Sequence, residues 1–539
     1  MMLAAQGFTV DVYDRRPEPR DDAVDVGRAY VIIAIPRGRK VLDDLGVALT
    51  PEAEQALLVR PAAAAAKAAA DPSSSLPPPR AGTVRHSADG KVTASREDGN
   101  VQLSRSALAQ ALIDAARERY GKGSEGGGGG GKSGSIAFHW NWSAEGGADL
   151  RRRRVTFERT ADGGNESSSS SGGKEWRVAP YDLLVGADGA GSAVRAAFAE
   201  QQADAADTTT TTATPPPFSF TVEDTGREYK TYSNAPGGPG IFEEPEGLEG
   251  AATLHLWRPR KPPRGKAARW DKFASFTAHS NPDGTYSGTM ALRKGMHANL
   301  EAGGAAGYAS LLREAFAGVP EAWVGPISQQ LAAGKARGAG RRIRCSRLWD
   351  GAKGRAVLIG DAAHGVSPVF GQGMNSSLET AAVLARVLRE CAAEAEARAD
   401  AADASSSPVD AALDAAPRRF DAERREDAHA LVALDRKAFS FFGAGPKWDA
   451  FQLLAHVVLG SLLGRVAPFL YGGRRRPALL SLGSPDTSYG QILRDVRRDA
   501  AVVAAGLVAL AAWLVGKFGM VARGEALLRG AAAAAGFGG

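Results

Sequence analysis

Cysteine is almost absent from this 539-residue chain, which has only Cys345 and Cys391. Two cysteines cannot build a disulfide framework or a cysteine zinc site, and their scarcity fits a reducing compartment. A charge excess is also lacking, with 66 Lys plus Arg against 60 Asp plus Glu and a net charge of +6. Arginine clusters at 151–154, 341–344 and 474–476 read as solvated surface. No aromatic residues interleave them, so they give no nucleic-acid motif, and only the last suits an anionic membrane surface. The opening MMLAAQGFTV has neither a charged start nor an apolar core, so no signal peptide is expected.

What is present centres on residues 355–388. A buried apolar run from Ala356 to Ile359 meets an abrupt Gly360-Asp361. A turn-rich loop follows, with His364, Pro368, Gly371 and Gly373. From about Met374 a helix is expected, because Leu378, Ala381, Ala382, Ala385 and Leu388 fall on one face. Strand, acidic loop, glycine turn and helix start form a recognisable order. Unpaired N–H groups and the positive dipole end at such a start suit a phosphate or a ring that becomes anionic on reduction.

A second element of this kind occupies 181–195, YDLLVGADGAGSAVR. A short strand at 183–185 turns sharply through Gly186-Ala187-Asp188-Gly189, Ser192 can cap, and Arg195 sits one turn into a helix. An ordinary strand–helix turn would not need Asp, Ser and Arg together, so phosphate or ribose contact is the favoured reading. Near the start, 8–13 reads as a strand closed by Asp14, with Arg15 and Arg16 behind it. An acidic residue ending the second strand of a dinucleotide-binding unit holds a ribose hydroxyl. By itself Asp14 reads first as a turn residue.

Between these elements the chain changes character. Residues 27–45 give a strand, a Pro36-Arg37-Gly38-Arg39 turn and a helix, and 99–120 a helix with Ser104 as N-cap and Arg105 in its first turn. Low-complexity insertions at 121–135, 163–173 and 203–217 read as flexible loops. From 218 to about 340 alternating runs such as 252–257 and 285–292 predict antiparallel strands, with 311–316 helical. His255 and Trp257 read as core residues of that sheet. After 388 come helices, and 500–516 is an uncharged run bracketed by Arg494, Arg497 and Arg498 on one side and Lys517 and Arg523 on the other. That length is enough for one membrane span.

GADGAGSAVR at 186–195 and GDAAHGVSPVFGQGMN at 360–375 resemble the two internal signatures of the class A FAD-dependent aromatic monooxygenases. Within that class the kynurenine 3-monooxygenase family is the most similar. VYDRR at 12–16, PRGRKVLDDLGV at 36–47, LSRSAL at 103–108 and LHLWRP at 254–259 add to the likeness, which spans most of 1–520 outside the insertions. The family's first strand and G-x-G-x-x-G turn do not precede Asp14, so the sequence is expected to start inside the first FAD-binding unit.

The resemblance implies an α/β fold, a Rossmann-like FAD-binding domain with an inserted antiparallel β-sheet substrate domain, then C-terminal helices and a transmembrane helix. The implied division is 1–214 and 341–400 for FAD, 218–340 for the substrate domain, 408–495 for the helices and 499–522 for the span. Asp14 and Arg15 would meet the adenosine ribose, Arg105 and Asp188 the phosphates, and Gly360 and Asp361 the ribityl chain. Pro368, Gly371, Gly373, Met374 and Asn375 would line the flavin. Arg85, Phe370, Asn375 and Phe439 would face substrate. Kynurenine enzymes place an Arg three positions before a His, where this chain has Thr83 before His86, with Arg80 and Arg85 nearby.

FAD as cofactor, NADPH or NADH as reductant, dioxygen and a small aromatic substrate are implied as well. No catalytic acid–base residue is expected, because the flavin carries the chemistry. Anchoring at a membrane, with the mitochondrial outer membrane as the candidate and the catalytic part facing the cytosol, completes the expectation. Two other readings stay open: a flavin-dependent reductase or epoxidase of the same fold acting on an apolar lipid, and a membrane-tethered remnant without flavin.

Overall fold

The computed structural model describes residues 1–19, 31–47, 81–97, 100–121, 134–160, 174–203, 216–237, 241–242, 248, 252–262, 270–271, 273–281, 284–338, 340–352, 354–368, 371–399, 407–440, 446–467, 469 and 482–534. Most of the three insertions, residues 62–79 with the following Arg80, and Phe370 lie outside these. The chain divides into two compact units, one of Met1–Asp435 with Gly483–Pro485, the other of Arg436–Leu482 with Asp486–Gly539.

In the first unit the apolar run before Gly360 becomes the strand Ala356–Leu358, each residue fully buried. It pairs in parallel with Leu184–Gly186, and the Ile359 N–H donates to the Gly186 carbonyl at 3.0 Å. The two glycine-bearing turns therefore leave the same sheet edge side by side. Val357, Leu358, Ala362, Phe198, Leu384, Val387, Leu388 and Phe420 close one core around this pair. Burying each Leu or Phe contributes about 1.5–3 kcal/mol. The strand Val10–Asp14 pairs in parallel with Ile136–Trp140.

The helix expected from Met374 begins two residues earlier and runs Gln372–Ala399. Of the expected apolar face, Ala385 and Leu388 are buried and Leu378, Ala381 and Ala382 half-buried, and Leu384 and Val387 are buried beside them. Met374 and Leu378 sit one turn apart and pack on Ala34, Leu42, Val101 and Leu108. That places the helix start against the strand Val31–Ala34 and the helix Pro36–Asp44.

The expected β-rich section forms a seven-stranded sheet in the order Arg337–Gly338, Arg227–Ala235, Tyr286–Arg293, Ser275–Ser280, Ala252–Trp257, Ala81–His86, Val92–Glu97. Two of its strands were not expected there. Ala81–His86 and Val92–Glu97, read from sequence as part of the first FAD segment, join the sheet, the former in parallel with Ala252–Trp257. Parallel pairing across 170 residues leaves no local pattern to read. His255 and Trp257 are buried at 2% exposure, as expected of core residues. With Tyr232, Phe276 and Met290 they face the helices Gly304–Ala315 and Glu321–Ala333.

The second unit holds the helices Lys447–Val466 and Tyr489–Ala534. Within it Lys437 Nζ donates to Asp449 Oδ1 at 2.8 Å and His456 Nδ1 meets Asp499 Oδ2 at 2.7 Å, all four side chains buried. Beyond Asp499 the apolar stretch is open to solvent, with Val508, Trp513, Val515 and Phe518 each more than half exposed. Two helices here are long and apolar enough to cross a membrane.

Candidate functional site

The first turn is set by its own side chains. Asp188 Oδ2 accepts the N–H groups of Ala193 and Val194 at 2.7 and 3.2 Å, and its Oδ1 accepts the Ser192 hydroxyl at 2.5 Å. Ser192 Oγ in turn accepts the Arg195 N–H at 2.9 Å. Asp188 thus satisfies the orphan donors that open the helix Ala193–Ala203. It remains exposed, with the turn's glycines beside it. Arg195 is buried and ties the two turns together, donating to the carbonyls of Ala190 at 2.7 Å and Ala362 at 2.8 Å. Burial holds its pKa below the usual value.

In the second turn, Gly360 has φ +57, and a Cβ there would come within 3.1 Å of the Ser377 hydroxyl. Only glycine lets the chain turn this close to the long helix. Asp361 follows at the start of the short helix Asp361–His364. Its carboxylate accepts no hydrogen bond from a described residue. The surrounding protein raises its pKa by desolvation, and the charge of Arg105 opposes that rise. Arg105, the first residue of the helix Arg105–Tyr120, is exposed and in electrostatic reach of Asp361. Two residues far apart in sequence, both expected at the cofactor, are therefore neighbours. Pro368 and Gly371 are exposed, and the space beside Gly371 and Gly373 is open.

Asn375 lies differently from its expected place. It is fully buried, and its side chain is engaged by three backbone groups. Its Oδ1 accepts from the Ile35 N–H at 3.1 Å, and its Nδ2 donates to the carbonyls of Ile33 and Gly371, both at 2.9 Å. The amide fixes the helix start to the neighbouring strand, so it is not presented to a substrate. Met374 likewise packs inward on the small cluster around Leu42.

Asp14 ends its strand as expected, but its carboxylate is held by Arg16, not Arg15. It accepts from the Arg16 N–H at 2.9 Å and from its guanidinium at 2.6 and 3.0 Å. Burial alone would raise the Asp14 pKa, and the Arg16 contacts outweigh it and lower it. Arg15 is exposed, its carbonyl accepting from Thr160 Oγ1 at 2.8 Å. Arg85 is exposed and donates to Ser95 Oγ at 2.7 Å. It stands in register with Leu256, and through it with Thr277, Thr289 and Thr231. That row lies on the sheet face opposite the buried Trp257, Phe276 and Met290. Phe439 ends the helix Pro408–Phe439 within the second unit.

Sequence reasoning missed a buried polar layer beneath the helix start. Arg37, taken for a turn residue, is 2% exposed, pairs with Glu379 and donates to the Ser484 carbonyl at 2.7 Å. Glu379 also meets Arg424 at 2.7 Å. Arg424 Nε donates to Thr380 Oγ1 at 3.0 Å, and His364 Nε2 contacts the same hydroxyl at 2.9 Å. Burial, helped by Arg424, pushes His364 down to about 3, so it stays neutral. No short-range pattern signals such a layer, because its partners come from distant segments.

A carboxylate that accepts no hydrogen bond from a described residue, with an arginine beside it, and a glycine-flanked helix start with open space fit the polyol and phosphate groups of a dinucleotide. A family model described as an FAD binding domain matches residues 341–414, which include the second turn and the helix start. Kynurenine 3-monooxygenase of Myxococcus xanthus is 27% identical over 445 residues, covering 81% of this chain and 77% of the relative. That of Stenotrophomonas maltophilia is 26% identical, covering 72% and 69%. Among solved structures, PqsL of Pseudomonas aeruginosa, described as a probable FAD-dependent monooxygenase, aligns with a TM-score of 0.44 at 17% identity, covering 82% of this chain and 92% of that one. The resemblance read from the two signatures is thus matched by the family model and by the curated relatives.

Proposed function

We propose that this chain, an FAD-dependent monooxygenase similar over most of its length to kynurenine 3-monooxygenase, uses NADPH or NADH and dioxygen to hydroxylate a small aromatic substrate of the kynurenine kind. The observation that carries the reading is the pairing of the two turns on one sheet edge, with Asp361 beside Arg105 and its carboxylate accepting no hydrogen bond from a described residue. When bound, FAD supplies the redox and oxygen chemistry. The protein's part is binding, orientation and exclusion of water. Asp361 would accept hydrogen bonds from the ribityl hydroxyls, and Arg105 would neutralise phosphate charge. The helix start at Gln372 would favour negative charge at the flavin edge. Asp188 would keep the first turn in shape near the phosphates through its cap contacts. Arg85, at the head of the open sheet row, is the candidate for a substrate carboxylate. The relatives' names favour this reading over a lipid epoxidase or a remnant without flavin.

The purified chain should turn yellow with FAD and oxidise NADPH or NADH faster when kynurenine is added, with hydroxylated product in proportion. Stimulation by a polyprenyl lipid alone would contradict the aromatic reading. An anchoring role for the C-terminal helix rests on the span Tyr489–Phe518, whose most apolar 18-residue window has mean hydropathy 2.0 and is not buried. Placement at the mitochondrial outer membrane with the first unit facing the cytosol is carried over from the resemblance. Carbonate extraction and protease protection of the expressed chain test both. Release of the intact chain by carbonate would argue against anchoring.

A further inference from the structure

The segment between the second turn and the long helix contains one polar side chain among residues 365–368, and it points inward. Ser367 is 2% exposed, and its hydroxyl donates to Asp435 Oδ1 at 2.5 Å. The Ser367 backbone N–H also acts on the same carboxylate. Asp435 is 1% exposed and comes from the helix Pro408–Phe439. Its other oxygen accepts Arg342 Nε at 2.7 Å, and Arg342 Nη1 donates to Glu223 at 2.9 Å. Arg342 is itself 3% exposed, on the strand Arg341–Cys345. From that strand the Ile343 N–H donates to the Gly365 carbonyl at 2.9 Å. Gly340 presses on the segment from a third side, since a Cβ there would lie 3.3 Å from Ser367 Cα.

A buried ion pair is a poor way to gain stability, because desolvating both charges offsets most of their attraction. An apolar pair of similar volume would hold the core as well. What a carboxylate adds is direction: one oxygen is fixed by Arg342, and the other can grip Ser367 in one position only. The residue after Ser367 is Pro368, which is exposed at the candidate flavin site. We infer that Arg342 and Asp435 are positioning residues that act through Ser367 to set Pro368 and the approach to the helix start against bound flavin. This inference rests on the FAD reading above.

The test is the full chain carrying Ser367→Ala, with Ser367→Thr as the conservative variant. In Ser367→Ala the dissociation constant for FAD should rise about fivefold, or about 1 kcal/mol. The midpoint potential and the fine structure of the flavin's visible band should shift too, beyond the fall in the apoprotein's melting temperature that a buried carboxylate losing a donor brings. Ser367→Thr keeps the hydroxyl and should restore all three flavin readouts. Should Ser367→Ala not fold, Arg342→Lys, which keeps the charge but loses the fork, should move the same readouts in the same direction. A folded Ser367→Ala or Arg342→Lys protein with wild-type FAD affinity, potential and spectrum overturns the inference while leaving the FAD reading intact. Wild-type protein that binds no FAD overturns both.

Discussion

At the residue level, the proposed cofactor site rests most on Asp361. A carboxylate that accepts no hydrogen bond from a described residue, and whose pKa is raised by desolvation, carries an energetic cost in the free chain, limited by its exposure to water. A polyol that donates to it removes that cost. Asp361→Ala should therefore weaken FAD binding by about one to two orders of magnitude, from the loss of charge-assisted hydrogen bonds worth about 1.5–3 kcal/mol. The apoprotein should be no less stable, which thermal melts with and without FAD would show. A variant that loses apoprotein stability and keeps FAD affinity would assign Asp361 to the fold instead. The Ser192 cap was legible in the sequence because its partner, the Arg195 N–H, lies three residues on, whereas Asp188, read as a phosphate or ribose contact, engages Ser192 and the helix start. The burial of Arg37 and the inward turn of Asn375 were not legible, since the strand and loop groups that hold them, Ile33, Ile35, Glu379 and Ser484, lie about 340 residues or more away.

At the scale of elements, the long helix from Gln372 is held to its neighbours by contacts at its first turns. Gly38 illustrates how close the approach is. A Cβ built there would fall 2.1 Å from Asn375 Oδ1 and 3.2 Å from Asn375 Cα. Backbone and a fully engaged amide must both move to admit even alanine. Gly38→Ala should cost about 1–3 kcal/mol of stability, in the range of overpacked sites, and should weaken FAD binding with it if, as proposed, the same helix start serves the cofactor. Denaturant melts monitored by far-UV circular dichroism and by flavin fluorescence would check this, and a neutral substitution would show that the helices are not in such contact. The strand–turn–helix elements were legible because each is a local run with its own period and punctuation. The sheet's membership was not, because Ala81–His86 joins Ala252–Trp257 by parallel pairing across a long stretch of chain.

At the scale of the whole molecule, histidine burial sets the response to acid. Burial lowers His86 and His279 to about 4, and His255 and His364 to about 3, from an ordinary 6.5. Each is neutral when folded and takes up a proton on unfolding once the pH drops below 6.5. The unfolded state then binds more protons, so stability is full above that pH and falls as pH falls toward the folded values. Each histidine contributes about 1.4 kcal/mol per pH unit in that window. Unfolding free energy should drop by on the order of a few kcal/mol between pH 6.5 and 5.5, before most carboxylates titrate. Chemical denaturation across that range should show it, and a flat profile would mean that these histidines are reached by water. The apolar C-terminal stretch was legible from composition alone, as a run of low charge bracketed by arginines and a lysine.

On the proposed function, this chain transfers one oxygen atom from dioxygen to an aromatic ring at the expense of a reduced nicotinamide. The most direct measurement supplies FAD, NADPH or NADH, kynurenine and isotopically labelled dioxygen to the full chain and weighs the product. One labelled oxygen should appear in a hydroxylated ring for each nicotinamide oxidised in coupled turnover. Nicotinamide oxidation without any labelled product from kynurenine or a related aromatic amine, in protein that has bound FAD, would contradict it.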